Sequence, residues 1–93
     1  MGKLGTSIRV SRKHKGLKIY QLADKVGVSP EFITAVERGY KYPSVKLLKK
    51  ICKVLEFDFS LIYLRDKHPD IMALLKDSLK DKSQVWRVLS KDS

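Results

Sequence analysis

Apolar residues recur along the chain at intervals of three and four, the spacing that places side chains on one face of an α-helix. No segment shows a sustained alternation of apolar and polar residues, so the pattern predicts no strand. Glycine and proline interrupt the pattern and leave segments of about 8 to 12 residues between them. The interrupting residues are Gly16, Gly27, Pro30, Gly39, Pro43 and Pro69. The sequence therefore predicts an all-α fold.

These glycines and prolines delimit five short predicted helices and a helical C-terminal segment. The predicted helices cover residues 6–15, 19–26, 29–38, 45–55 and 59–64, and a further segment begins at Pro69. Ser44 and Asp58 are suitable N-caps for the fourth and fifth helices, because their side-chain oxygens can accept from unpaired backbone amides. Gly39 is expected to end the third helix.

The turn between the second and third helices carries the strongest local signals. Gly27 can adopt the left-handed conformation that closes a helix, and Ser29 can cap the next one with Pro30 in its first position. Val28 and Ile33 have the spacing of a hydrophobic staple, which would fix the angle at which the chain enters the third helix. Two short helices joined in this way predict a helix-turn-helix, whose second helix enters the major groove of DNA.

Charge is distributed unevenly and points to a polyanionic partner. The 93 residues have a net charge of +10, with twelve basic and three acidic residues in positions 1–50 and eight and seven afterwards. Such asymmetry favours nucleic acid over anionic lipid, because no basic amphipathic helix with an aromatic apolar face is evident. The alternative is that the lysines only keep a helical surface in solution.

Other classes of protein receive little support. We expect a cytoplasmic protein without a membrane segment, because no apolar run approaches the roughly 20 residues that a span requires. His14, Cys52 and His68 lack metal-ligand spacing, and a lone cysteine cannot form an intramolecular disulfide. No nucleophile with a base, paired carboxylates or phosphate-binding glycine loop is recognisable. We therefore predict no enzyme, no metal and no cofactor.

A resemblance to a known family sharpens this interpretation. The segment across the predicted turn reads LKIYQLADKVGVSPEFITAVERGYKYPSVKLLKKICKVL. It resembles the Cro/C1-type, or Xre-like, helix-turn-helix family of bacterial and phage transcriptional regulators. Four separately spaced elements carry the resemblance, which covers about residues 4–66: RKHKGL, LADKVGVS, ITAVERG and YPSVKLLKKICKVL. The resemblance implies a five-helix, lambda-repressor-like DNA-binding domain over residues 1–66, with one or two additional helices in residues 67–93.

The resemblance also implies roles for individual residues. Arg12 and Glu37 match family positions that pair internally. The candidates for contact with base edges in the major groove are Ser29, Glu31, Thr34, Ala35 and Arg38, with Pro30 also on the DNA-facing side. Arg38 suits either guanine or a phosphate, and Thr34 and Glu31 are alternatively ordinary solvent-facing residues. The candidates for contact with phosphates are Lys18, Lys41, Tyr42 and Lys46.

Several positions depart from the family pattern. Lys18 and Ile19 replace the Thr/Ser-Gln pair that often opens the second helix. Glu56 replaces the glycine expected after the fourth helix, and Ser11 replaces a core aliphatic residue. Ile19, Tyr20 and Phe32 stand where polar residues are common, which leaves three alternatives open: core filling, thymine-methyl contact or a protein-binding patch.

The C-terminal segment has two alternative roles. It either packs on the fifth helix and completes the core, or forms a two-fold dimer contact, for which the candidates are Leu61, Tyr63, Trp86 and Leu89. We predict a homodimeric, sequence-specific double-stranded DNA-binding regulator, a repressor, that reads the major groove with residues 29–38. The alternative is a protein-interaction or antitoxin-like module that retains the fold and binds a protein partner.

Overall fold

The computed structural model describes residues 3–70 and 82–92, and all the regular structure in these ranges is helical. The all-α prediction is confirmed for this part of the chain. The helices are α1 (Leu4–His14), α2 (Ile19–Val26), α3 (Pro30–Glu37), α4 (Val45–Leu55), α5 (Ser60–Lys67) and α6 (Lys82–Asp92).

One apolar core joins the six helices found in residues 3–70 and 82–92. The short helix α2 packs against both α3 and α4, α1 contacts α3 and α5, and α6 lies on α5. Each helix contributes at least one fully buried apolar side chain: Ile8, Leu22, Ile33, Leu48, Ile51, Leu64 and Leu89. The apolar spacing read from the sequence is therefore the spacing of the core-facing positions.

Four consecutive helices end in the same way. After each of α1 to α4, one residue has a positive φ and the next backbone amide donates to a carbonyl five residues earlier, which is a Schellman motif. The residues with positive φ are Gly16 (71°), Gly27 (77°), Gly39 (82°) and Glu56 (54°). Glu56 is the exception, because a Cβ atom makes the left-handed conformation costly.

Helix α1 begins two residues before its predicted start. The backbone N–H of Leu4 donates to Asp66 Oδ2 of α5 at 2.6 Å, so a carboxylate distant in sequence satisfies the first turn. Residues nearby in sequence give no sign of this cap. The prediction of a start at Thr6 was wrong for that reason.

The other boundaries agree with the predictions to different degrees. Ser44 caps α4 by accepting from Leu47 N at 3.1 Å, and the predicted limits of α2 and α4 are confirmed. Helix α3 ends at Glu37, two residues before Gly39. Asp58 Oδ1 accepts from Ser60 N at 2.9 Å, and α5 then extends to Lys67, beyond the predicted end at residue 64.

The C-terminal helix completes the core of the single chain. Val85 and Leu89 of α6 are buried among the apolar residues of the other helices, and α6 packs on α5. The predicted apolar positions between residues 71 and 81 lie outside the described residues. The core-completing alternative therefore holds for the part of this segment that the structure describes.

Candidate nucleic-acid interface

Residues close together in the sequence form the turn between α2 and α3. Gly27 closes α2, and Ser29 Oγ then accepts from Phe32 N at 3.2 Å to cap α3. Pro30 occupies the first turn of α3, where a missing N–H removes no intrahelical hydrogen bond. These contacts establish the predicted helix-turn-helix.

The two faces of α3 differ in burial. Ile33 and Val36 are buried against the rest of the domain, and the opposite side carries the predicted base-contact residues. Of these candidates, Ser29, Glu31 and Arg38 are exposed, and Thr34 and Ala35 are partly exposed. Thr34 Oγ1 donates to the carbonyl of Pro30 at 3.1 Å, so its methyl group and both hydroxyl lone pairs are left for a ligand. The structure thus brings this predicted set together along one helix.

A buried ion pair fixes α3 against α1. Arg12 Nε donates to Glu37 Oε2 at 2.7 Å, and Nη2 donates to Oε1 at 3.1 Å, which makes a bidentate contact. Arg12 Nη1 also donates to the carbonyl of Leu17 at 2.8 Å. The two side chains are only 8% and 5% exposed, so the pair expected from the sequence forms and lies almost entirely out of solvent.

A close backbone approach reinforces that pair. A Cβ atom placed on Gly5 would lie 2.4 Å from the carbonyl oxygen of Glu37 and 2.5 Å from that of Val36. These distances are well below van der Waals contact, so only glycine allows α1 to approach the end of α3 this closely. Gly5 could not be singled out from the sequence, because nothing near it in the chain shows which backbone it meets.

The predicted phosphate-contact residues belong to different elements of the fold. Lys18 is exposed at the start of α2, where its backbone N–H donates to Gln21 Oε1 at 2.8 Å. Lys41 is exposed in the connection after α3, and its Nζ lies 5.7 Å from the centre of the Phe32 ring. Lys46 is exposed on α4.

Tyr42, the fourth phosphate-contact candidate, has only part of its surface available for contact with DNA. Its ring is T-shaped against Tyr63, with 5.9 Å between centroids, and 41% of the residue is exposed. Burial, and secondarily the nearby charge of Asp66, raise the pKa of Tyr42. The hydroxyl therefore stays protonated at neutral pH and can donate to a phosphate oxygen.

A concavity between α1 and α3 contains two cations that the sequence analysis missed. It measures about 210 Å³ and is lined by Arg9, Arg12, Lys13, Ile19, Thr34, Glu37 and Arg38. Arg9 and Lys13 are exposed and lie four residues apart on α1, the spacing of neighbours on one helix face. That spacing was a readable signal, but its position beside α3 depends on helix packing.

The unusual apolar residues divide between core and surface. Ile19 and Phe32 are half-buried and pack against the core, and Phe32 also lies beneath Lys41. Tyr20 is 59% exposed and lines a second concavity with Val28 and Pro30. The core-filling interpretation therefore fits Ile19 and Phe32, and Tyr20 belongs to the surface.

Burial changes the set of dimer candidates. Tyr63 is buried and donates its hydroxyl hydrogen to the carbonyl of Pro43 at 3.0 Å, and Leu89 is fully buried. Neither has side-chain area to give to a second chain, so we remove both from the set. Leu61 is 39% exposed, and Trp86 is half-buried with Lys49 Nζ 5.6 Å from its ring centre.

Among the described residues, no group of three or more His, Cys, Asp or Glu side chains is arranged to hold a metal ion. No helix in residues 3–70 and 82–92 has the length and apolar character needed to cross a membrane.

Comparison with known proteins adds independent information. A family model described as helix-turn-helix matches residues 8–62. The transcriptional regulator SlrR of Bacillus subtilis is 34% identical over 86 residues, which cover 91% of this chain and 53% of SlrR. The chain spans about half the length of the curated relatives it matches.

Two solved structures share the fold. The crystal structure of the clp gene regulator ClgR from Corynebacterium glutamicum has a TM-score of 0.60 and 29% identity, covering 96% of this chain and 88% of that one. A complex of the SinR and SinI proteins has a TM-score of 0.60 and 28% identity, covering 96% of this chain and 93% of the matched one.

Proposed function

Because the chain belongs to the helix-turn-helix family of transcriptional regulators, we propose that it regulates transcription as a sequence-specific double-stranded DNA-binding protein. The observation that carries this proposal is the exposed side of α3. That side is held in place by the buried Arg12–Glu37 pair and is flanked by cations of α1 and of the connection after α3. A polyanion with a groove that admits one helix fits such a surface.

Roles within the interface follow from position and chemistry. We assign base reading to the first turns of α3, where Ser29, Glu31 and Thr34 present short hydrogen-bonding groups. Lys18, Lys41 and Lys46 lie outside α3 and would meet phosphates, which give affinity but carry no sequence information. Ala35 offers a small apolar surface suited to a thymine methyl group.

We propose repression by occupancy, without catalysis and without a cofactor. A bound protein of this kind blocks access of other factors to the same duplex. Such a regulator acts where the chromosome is, which places it in the bacterial cytoplasm.

A homodimer would suit this function, since two α3 helices about one turn of DNA apart match an inverted repeat. Leu61 and Trp86 remain the candidate dimer contacts after the burial of Tyr63 and Leu89. Both lie on the α5–α6 side of the molecule, which would leave α3 free for DNA.

A protein partner is the second candidate function. The exposed ring of Tyr20 borders a concavity of about 420 Å³ with Val28 and Pro30, next to the helix-turn-helix. An apolar side chain of another protein would fit there. Such an interaction would change little with salt, whereas DNA binding would weaken steeply.

Selection of bound duplexes from a random library at moderate salt tests the proposal. We expect enrichment of an inverted repeat whose half-sites are about one helical turn apart. Enrichment of a single half-site would support DNA reading without the dimer. Recovery of no motif, together with salt-insensitive binding to another protein, would refute the DNA-binding proposal.

A further inference from the structure

The concavity between α1 and α3 carries more positive charge than its own carboxylate neutralises. At its floor, Arg12 and Glu37 form a bidentate pair and cancel each other. Arg9, Lys13 and Arg38 line the same space and are exposed, and no carboxylate within residues 3–70 and 82–92 forms a salt bridge with any of them. Three like charges around one small space repel each other unless an anion lies between them.

The position of the concavity indicates which part of DNA would fill it. Arg38 follows the last residue of α3, whereas Ser29 and Glu31 lie at the other end of the helix. In helix-turn-helix proteins the N-terminal residues of the recognition helix meet base edges, so the opposite end lies towards the rim of the groove. Backbone phosphates line that rim.

We propose that Arg9, Lys13 and Arg38 form a phosphate clamp, which holds one phosphodiester of the DNA backbone in the concavity. This inference rests on the proposed function and goes further by assigning Arg38 to affinity rather than to base recognition. It also gives α1 a direct part in DNA binding. The sequence alone is compatible with contact between Arg38 and either a guanine base or a phosphate.

The clamp is held rigid before DNA arrives. Gly5 lets α1 approach the backbone of α3 closely, and the buried Arg12–Glu37 pair fixes the two helices. The cations therefore project from fixed helices, so little backbone ordering is needed when the phosphate binds.

Salt dependence of affinity tests the two α1 residues. Affinity is measured at several salt concentrations with the duplex enriched from the random library, or with a random-sequence duplex if none is enriched. We expect Arg9→Gln and Lys13→Gln each to reduce the slope of log K against log salt, by at most about 0.9 because the three cations share one phosphate. Lys53→Gln is the matched control, since Lys13 and Lys53 are both exposed lysines in the last turn of an eleven-residue helix.

Charge-retaining and sequence-selection variants complete the test. Lys13→Arg should keep the wild-type slope, and thermal melting verifies that each variant is folded. Arg38→Ala should weaken binding to all duplexes by the same factor and enrich the same motif as the wild type. Loss of preference at one base pair in Arg38→Ala would overturn the assignment of Arg38 to a phosphate.

The outcomes separate the clamp from the proposed function. If the wild type binds duplex DNA and the slopes of Arg9→Gln and Lys13→Gln equal that of Lys53→Gln, the clamp is wrong and the regulator proposal survives. If the wild type binds no duplex DNA at any salt concentration, both are wrong.

Discussion

The two sides of the molecule hold together by different means. On the α1–α3 side, a buried ion pair and a glycine contact bring the helices together, and exposed cations line the adjoining concavity. On the α5–α6 side, packing is mainly apolar, with Phe59, Leu64 and Leu89 fully buried. The bidentate ion pair fixes the orientation of α1 relative to α3, because it tolerates only one geometry. Apolar packing between α5 and α6 stabilises the fold by burying side chains and constrains the helix orientation less.

The largest expected effect comes from breaking the ion pair. Glu37→Ala leaves the Arg12 guanidinium buried without its anion, and we expect a loss of about 3–5 kcal/mol in the free energy of unfolding. Urea denaturation measures this loss. Glu31→Ala, which removes an exposed carboxylate from the same helix, should stay within about 0.5 kcal/mol. A similar small value for both variants would mean that the pair does not fix α3.

Truncating a core residue of α6 tests how much the apolar packing on the α5–α6 side contributes to stability. Leu89→Ala removes a fully buried side chain, and we expect a loss of about 2–4 kcal/mol in the same assay. Arg87→Ala, at an exposed position of the same helix, is the control. If α6 served only to join two chains, Leu89→Ala would lower dimer affinity while the stability of the monomer stayed unchanged.

The smallest effect is expected at Glu56, which lies between the two sides. Glu56→Gly removes the strain of a left-handed non-glycine residue, so Tm should rise by roughly 2–4 °C at neutral pH. The gain is limited because the ion pair with Lys15 is lost and glycine gives the unfolded chain more freedom. Differential scanning calorimetry measures the shift, and a lower Tm would show that the ion pair matters more than the strain.

The pH dependence of Tm in Glu56→Gly provides a second measurement of the Lys15–Glu56 ion pair. The hydrogen bond and charge of Lys15 lower the pKa of Glu56, so this pair stabilises the fold above the usual pKa of 4.5. That contribution disappears as pH falls through the lowered value. Glu56→Gly has no such group to titrate, so its Tm advantage over the wild type should grow below about pH 4.5. A constant difference across that range would contradict this account.

Much of the fold could be predicted because its signals are local. Ser29, Ser44 and Gly27 act within one helical turn of the boundaries they set, and α2 and α4 have the predicted limits. The Arg12–Glu37 pair was predicted from family positions and is present. The assignments of base and phosphate contacts remain predictions, since they concern a partner outside the chain.

The features that sequence analysis missed depend on residues far apart in the chain. Gly5 looks ordinary until α1 meets the backbone at Glu37, and Arg9 and Lys13 look like solubilising charges until α3 is placed beside them. Leu89 was proposed for a dimer, because periodicity shows that a face is apolar without showing what covers it. Helix packing decides all three cases.

The hydrogen bond between Leu4 N and Asp66 has a practical consequence for dissecting the chain. It joins the first turn of α1 to the last part of α5, so a fragment truncated before residue 66 would lose the cap that holds its own N-terminal helix. The Leu4 amide is consequently a built-in spectroscopic reporter. Slow deuterium exchange at Leu4 would show that α5, about sixty residues later in the chain, is docked against α1.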